Sequence, residues 1–202
     1  RRVLARMGVR AEDVHFPGCT IPIGDTKLYL HLNAAMDAAR ALMPADAGVR
    51  LIIPAWEGGH HDHDAAHLVG LALAQELGIR DVWQASLYHG RGLPGGAFRV
   101  LAPIPENGPA TSRRLPLGAR LRYLGYCLSY PSQWKTWLAL FPMVMLHYLT
   151  HGSEQLQRVD PRRVLEPPHA GAVLYERRGF ITWAAFADAT RALRERIASR
   201  GL

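Results

Sequence analysis

Four of the ten histidines in this 202-residue chain, His60, His61, His63 and His67, fall within eight residues, interleaved with Asp62 and Asp64. Imidazole nitrogen and carboxylate oxygen are the donors of a catalytic zinc site, which typically takes three protein ligands and leaves one position open for water. The paired glycines just before the cluster, Gly58 and Gly59, permit close backbone approach to a ligand. On a helix, His63 and His67 stand four residues apart and share a face, as paired zinc ligands do. A His-rich loop also binds metal without catalysing anything, so a metal-binding loop with no chemistry attached stays open on these residues alone.

The elements around the cluster decide where it sits. Val49–Pro54 is a short apolar run of the kind that forms a buried parallel strand. The cluster follows directly. Ala65–Leu77 then reads as a helix stopped by Gly78, and Asp81–Leu87 as the next strand. Strand, loop, helix and strand make a right-handed βαβ unit with its strands parallel. The loop therefore leaves the carboxyl end of a strand, where open α/β sheets bind ligands. Asp62 is the expected N-cap of the helix, bringing His63 into its first turn.

Elsewhere, Arg1–Met7 reads as the last turns of a helix capped by Gly8, and Asp13–Phe16 as an extended segment. Turn chemistry follows at Pro22–Asp25, then a helix over Leu28–Met43 that ends at Pro44. Phe98–Ile104 is expected as a strand or β-arm, Leu115–Tyr130 as a helix, and Trp134–Tyr148 as an apolar helix that Pro142 kinks or breaks. Gly171–Glu176 reads as a short strand and Thr182–Ser199 as an amphipathic surface helix. The result is one α/β domain over residues 1–202.

Composition narrows the function classes. With 49% apolar and 20% charged residues the chain is globular rather than disordered. Its two cysteines, Cys19 and Cys127, lie far apart, which excludes a disulfide framework and a cysteine zinc knuckle, and both read as buried small apolar side chains. A reducing, cytoplasmic setting is expected. The apolar run 137–146 is interrupted by Pro142 and has about half of the ~20 residues a bilayer span needs, so no transmembrane segment is expected. The Trp134–Tyr148 stretch reads as a core helix, with a membrane-surface element as the sharper alternative. The net charge of +7 comes from scattered arginines, with Lys27 and Lys135 the only lysines, and no basic–aromatic pattern marks a nucleic-acid partner.

The run Glu57-Gly58-Gly59-His60-His61-Asp62-His63-Asp64-Ala65-Ala66 resembles the second motif of the PIG-L/LmbE-like zinc-dependent deacetylases, written H-P-D-H and preceded in one branch by E-G-G. The order of elements is similar too, including Tyr130-Pro131-Ser132-Gln133 and Pro167-Pro168-His169 near the end. The resemblance implies a Rossmann-like three-layer sandwich with a mostly parallel sheet. It implies an N-deacetylase that removes acetate from an N-acetylglucosamine-type amine on a small sugar conjugate. Carried over, His63 is a ligand of Zn2+ or another divalent ion such as Fe2+, and His60 is the catalytic general acid, acting as an imidazolium. Asp62 orients the catalytic geometry, and Asp25 matches a position that contacts a sugar hydroxyl.

Two departures shape the expectation. His61 stands where the family has proline, and the family's first motif, H-P-D-D-E, does not occur in these 202 residues. Either the sequence is a fragment, with that motif and the first strand and helix of the fold expected upstream of Arg1, or it is a degenerate paralogue with no complete site; a helical start without methionine favours the fragment. As it stands the chain would hold roughly one third of a metal shell and would not catalyse alone. The alternatives are a non-catalytic metal- or sugar-binding α/β module and, more distantly, a nucleic-acid binder drawn by positive charge.

Overall fold

The computed structural model describes residues 2–19, 21–43, 48–129 and 134–202. Tyr130-Pro131-Ser132-Gln133, part of the family resemblance, lies outside them, as does Pro44. The chain is a mixed α/β domain with helices α1 (Arg2–Arg6), α2 (Leu32–Arg40), α3 (His61–Leu77), α4 (Leu117–Cys127), α5 (Trp134–Thr150), α6 (Leu174–Arg177), α7 (Trp183–Ala189) and α8 (Arg191–Arg200). Its strands are β1 (Leu51–Pro54), β2 (Val82–Ala85), β3 (Tyr88–His89), β4 (Arg99–Val100), β5 (Ala110–Arg114) and β6 (Ser153–Arg158).

The βαβ unit is present as its sequence requires. β1 pairs with β2 in parallel, Ile52 opposite Trp83, and α3 crosses between them. Gly78 ends α3 in the left-handed region at φ 70, a conformation cheap for glycine. Beyond β2 the sheet departs from expectation. Its order is β1-β2-β6-β5, and β6 runs antiparallel to both of its neighbours. One pairing of three is parallel, so the sheet is mixed rather than mostly parallel. β5 is exposed at every residue and β6 reads Ser-Glu-Gln-Leu-Gln-Arg, so neither carries the apolar run that marks a buried strand.

α3 is the centre of the core. Ala65, Leu68, Leu71 and Ala74 are fully buried and pack with Ile53 of β1, Val82 of β2, Phe186 and Ile197. Helix and sheet touch so closely at Gly70 that a Cβ there would lie 2.5 Å from Ile53 Cγ2. Only this face of β1 is covered. Ile52, pointing the other way, is 53% exposed, and β1 forms one edge of the sheet.

Several local expectations change. The single helix over Leu28–Met43 is a 3-10 turn at Leu28–Leu30 followed by α2. A 3-10 turn at Ala11–Asp13 precedes and shortens the extended segment. The Phe98–Ile104 run pairs only at β4. Pro142 lies inside a continuous α5, removing one i→i−4 bond without ending the helix. Gly171–Glu176 is not a strand. Its buried Val173, Leu174 and Tyr175 lead into the short helix α6, because an apolar run this brief fits either geometry. The terminal helix divides at Thr190, whose hydroxyl donates to the Phe186 carbonyl (2.8 Å) and accepts from Arg194 (3.1 Å). Cys19 is exposed rather than buried, and Cys127 is partly buried.

Gly70 gives a direct check of the helix–sheet contact. Gly70→Ala gains about 1 kcal/mol of helix propensity but drives a methyl into Ile53. The expected outcome is net destabilisation of about 1–2 kcal/mol, read from urea unfolding midpoints. An unchanged or raised midpoint would mean that helix and strand stand further apart.

Candidate functional site

The loop from Ala55 to His60 joins β1 to α3 and is almost wholly buried. Glu57 holds it in place. Its Oε1 accepts the backbone N–H groups of Leu87 (2.7 Å) and Tyr88 (2.9 Å), and its Oε2 meets the Ser86 hydroxyl. Ser86 Oγ also lies 2.9 Å from the Ala102 carbonyl, which can only accept. One hydroxyl hydrogen cannot serve two acceptors. A protonated Glu57 resolves the conflict, donating to Ser86 Oγ while Ser86 donates to Ala102. Complete burial pushes the Glu57 carboxyl up to about 8, against the hydrogen bonds from Ser86, Leu87 and Tyr88.

The glycines serve the same contact. A Cβ on Gly59 would sit 1.8 Å from the Tyr88 carbonyl oxygen, and one on Gly58, at φ 69, would sit 2.7 Å from Val173 Cγ1. The close approach read from Gly58 and Gly59 is therefore to neighbouring protein. Asp64, also buried, closes the loop from the helix side. Its Oδ1 accepts the N–H groups of Glu57 (3.3 Å) and Gly58 (3.2 Å), and burial raises its carboxyl to about 7.

His60, not Asp62, caps α3. Its Nδ1 accepts the Asp62 N–H at 3.1 Å, one of the donors a helix start leaves unpaired. A bare Nδ1 places the proton of the neutral ring on Nε2. Burial foremost, then neighbouring His61, push the His60 pKa down, while Asp62 and the exposed Asp25 oppose the shift. The balance favours neutral imidazole over the imidazolium expected of a general acid. The His60 ring lies 5.3 Å from the His63 ring and 4.5 Å from that of His61, on which it stacks, with Phe180 at 5.8 Å.

His63 is in the first turn, as the spacing requires, partly buried and edge-on to Tyr88 at 5.4 Å. Its Nδ1 is buried without a hydrogen-bond partner, and burial pushes its pKa down to about 4. His67 does not join it. Its Nδ1 lies 2.8 Å from the Pro54 carbonyl and its ring packs against Trp56 in the core. His89, at the end of β3, is satisfied within the protein: Nε2 donates to the Ala102 carbonyl (2.8 Å) and Nδ1 accepts from the Arg91 N–H (3.2 Å).

Asp62 and His61 both turn to the 24–28 segment. Asp62 accepts the N–H groups of Thr26 (2.8 Å) and Leu28 (3.1 Å), and His61 Nε2 donates to the Thr26 carbonyl (2.9 Å). Thr26 sits at φ 66, a strained conformation for a β-branched residue, and these three bonds hold it there. Asp25 lies in the same turn and acts electrostatically on His60.

One donor atom each from His60, His61 and Asp62 lie within 4.8 Å of one another, the one such grouping among the described residues. Its fit to a metal is partial. His61, with Nε2–H on a backbone carbonyl and Nδ1 buried and unpartnered, has the form of an oriented ligand imidazole. The Asp62 oxygens, however, are engaged by backbone N–H groups. Spacing could not show that the carboxylates of this motif serve the loop itself. The Glu in E-G-G, with glycines too crowded for any side chain, was the available sign.

Two substitutions test these bonds. Glu57→Gln keeps a donor for Ser86 and an acceptor for Leu87 and Tyr88, and cannot ionise. A carboxyl raised from 4.5 to about 8 stabilises the fold fully below 4.5 and loses that contribution as pH rises through about 8. The stability of Glu57→Gln relative to wild type should therefore rise across that interval in thermal melts, with Asp64 leaving a residual slope in both proteins. A variant weaker by the same amount at every pH would contradict a neutral Glu57. Asp62→Asn loses one acceptor and sets an amide N–H against a backbone donor, at a cost of about 1–3 kcal/mol. Hydrogen exchange should accelerate at Thr26 and Leu28; unchanged protection would show that other contacts hold the turn.

Comparison of the chain with protein-family models, with curated proteins and with solved structures finds no match.

Proposed function

We propose that the β1–α3 corner is part of a divalent-metal-dependent N-deacetylase site of the PIG-L/LmbE-like kind, acting on an N-acetylglucosamine-type amine of a sugar conjugate. The supporting observation is the meeting of His60 and His63 at the first turn of α3, rings 5.3 Å apart, beyond the carboxyl end of β1. In this reading His63 holds the ion through a ring nitrogen, with His61 Nδ1 as a further available donor. A bound divalent ion supplies Lewis acidity toward the amide carbonyl and an acidified water.

The chain's own groups do the positioning. With Nδ1 fixed on the Asp62 amide, His60 presents Nε2–H as a neutral hydrogen-bond donor, suited to stabilise the developing oxyanion rather than to protonate the departing nitrogen. Asp62 acts at one remove, holding the Thr26–Leu28 turn and so placing Asp25 for a sugar hydroxyl. Further ligands have to come from outside the described cluster. The unpaired edge of β1 is where an added strand would deliver them beside the loop.

A second reading, a binding module without catalysis, is favoured by the complete use of the Asp62 oxygens in backbone bonds. Acetate release from N-acetylglucosaminyl compounds by the product of the complete open reading frame separates the two. The deacetylase reading expects activity abolished by chelator, restored by Zn2+ or Fe2+, and reduced about 100-fold or more by His60→Ala. His63→Ala should lower metal content as well as rate. Stoichiometric metal binding with no acetate released would support the module, and activity indifferent to chelator would overturn the metal-dependent reading.

A further inference from the structure

Helix α5 is apolar on its exposed side as well as on the side where Val144 is buried. A helix on a folded domain ordinarily turns its apolar stripe inward and its polar residues to water. On α5 the exposed large apolar residues include Leu138, Met143, Met145, Leu146 and Leu149, from 39% exposed at Met145 to 69% at Leu138. His147, by contrast, is partly buried with its Nε2 3.1 Å from the Ser153 carbonyl. The neighbouring α4 and its C-cap residue Leu128 add Leu117, Leu121 and Leu128, between 55% and 70% exposed. Spacings of four and eleven from Leu117 keep all three on one helical face. A groove of about 600 Å³ between α5 and β4, lined in part by Leu101, Pro103, Met143 and Leu146, extends this apolar surface.

The sequence of this region is basic, with Glu154 of β6, opposite Arg113, the acid that borders it. Between Glu106 and Glu154 the sequence contains no acidic residue, while Arg113, Arg114, Arg120, Arg122 and Lys135 all fall there. Arg114 and Arg122 are exposed and form no salt bridge among the described residues. Exposed apolar side chains bordered by unpaired cations match one kind of surface, an apolar layer beneath a negative headgroup plane.

We propose that the α4–α5 pair is a membrane-surface element that seats on an anionic bilayer. Its leucines and methionines enter the headgroup–acyl boundary while Arg114 and Arg122 meet lipid phosphates. It lies on the bilayer, since no helix among the described residues is long and apolar enough to cross one. A second copy of the chain is a poorer occupant. A two-fold contact through this surface would bring two predominantly basic regions together. None of these residues belongs to the 55–64 loop, so the proposal stands or falls independently of the deacetylase reading.

Vesicle flotation of the full 202-residue chain tests it, using phosphatidylcholine vesicles with and without phosphatidylserine. The chain should float with the phosphatidylserine vesicles only, and salt should release it. Leu146→Glu with Leu149→Glu should cut binding roughly tenfold or more without lowering the melting temperature, both sites being already in water. Arg122→Gln, which leaves the apolar face intact, should weaken binding to a lesser degree. Equal binding to neutral vesicles, or no flotation of the wild type, would overturn the proposal. So would self-association that the leucine variants abolish in the absence of vesicle binding, which assigns the face to a second copy.

Discussion

The corner between β1 and α3 depends on one buried carboxyl group. Glu57 ties the loop that carries the histidines to the backbone of Leu87 and Tyr88, just beyond the parallel neighbour strand. The bond can be this short-range only because Gly59 lets the loop lie against the Tyr88 carbonyl. An ionised carboxylate in that position would bear the desolvation cost of a buried charge, which a neutral acid donating to Ser86 avoids. Asp64 completes the fastening from the helix side, accepting from Glu57 and Gly58. The backbone of residues 57–64 is thus fixed by hydrogen bonds before any ligand is considered.

What this frame presents follows from its geometry. His60 caps α3, so its ring orientation is set by the helix itself, and the first turn brings His63 beside it. Asp62 and His61, beside His60, also reach the 24–28 segment and hold Thr26 in a strained conformation. Strain of this kind persists where surrounding structure over-determines it, and it concentrates at binding sites. The carboxylates of the motif and His60 hold the backbone, while His61 and His63 each keep an unpartnered Nδ1.

Much of this was legible in the sequence. Val49–Pro54, the Gly78 stop and the βαβ order all follow from apolar runs and glycine chemistry, and they place the histidines at the carboxyl end of a strand. β5 and β6 were not legible, because a half-exposed antiparallel strand of Ser, Glu, Gln and Arg has no apolar periodicity to read. Gly171–Glu176 was misread because three buried apolar residues in a row fit a strand or a single helical turn. Asp62 is a good N-cap by residue type, but its carboxylate finds two backbone donors across the turn at Thr26 and Leu28, a tertiary pairing invisible to local pattern. The apolar Trp134–Tyr148 helix was recognised, but composition could not tell which side of it the fold would leave in water.

The central claim is that the loop delivers neutral imidazoles with set tautomers. Long-range proton–nitrogen NMR correlation of the histidine rings at neutral pH reads this directly. The account predicts that His60 carries a single proton, on Nε2, with Nδ1 bare, and that His61 Nε2 carries a hydrogen toward the Thr26 carbonyl. A His60 ring protonated at Nδ1, whether as imidazolium or as the other tautomer, would contradict it, since that nitrogen could no longer cap α3.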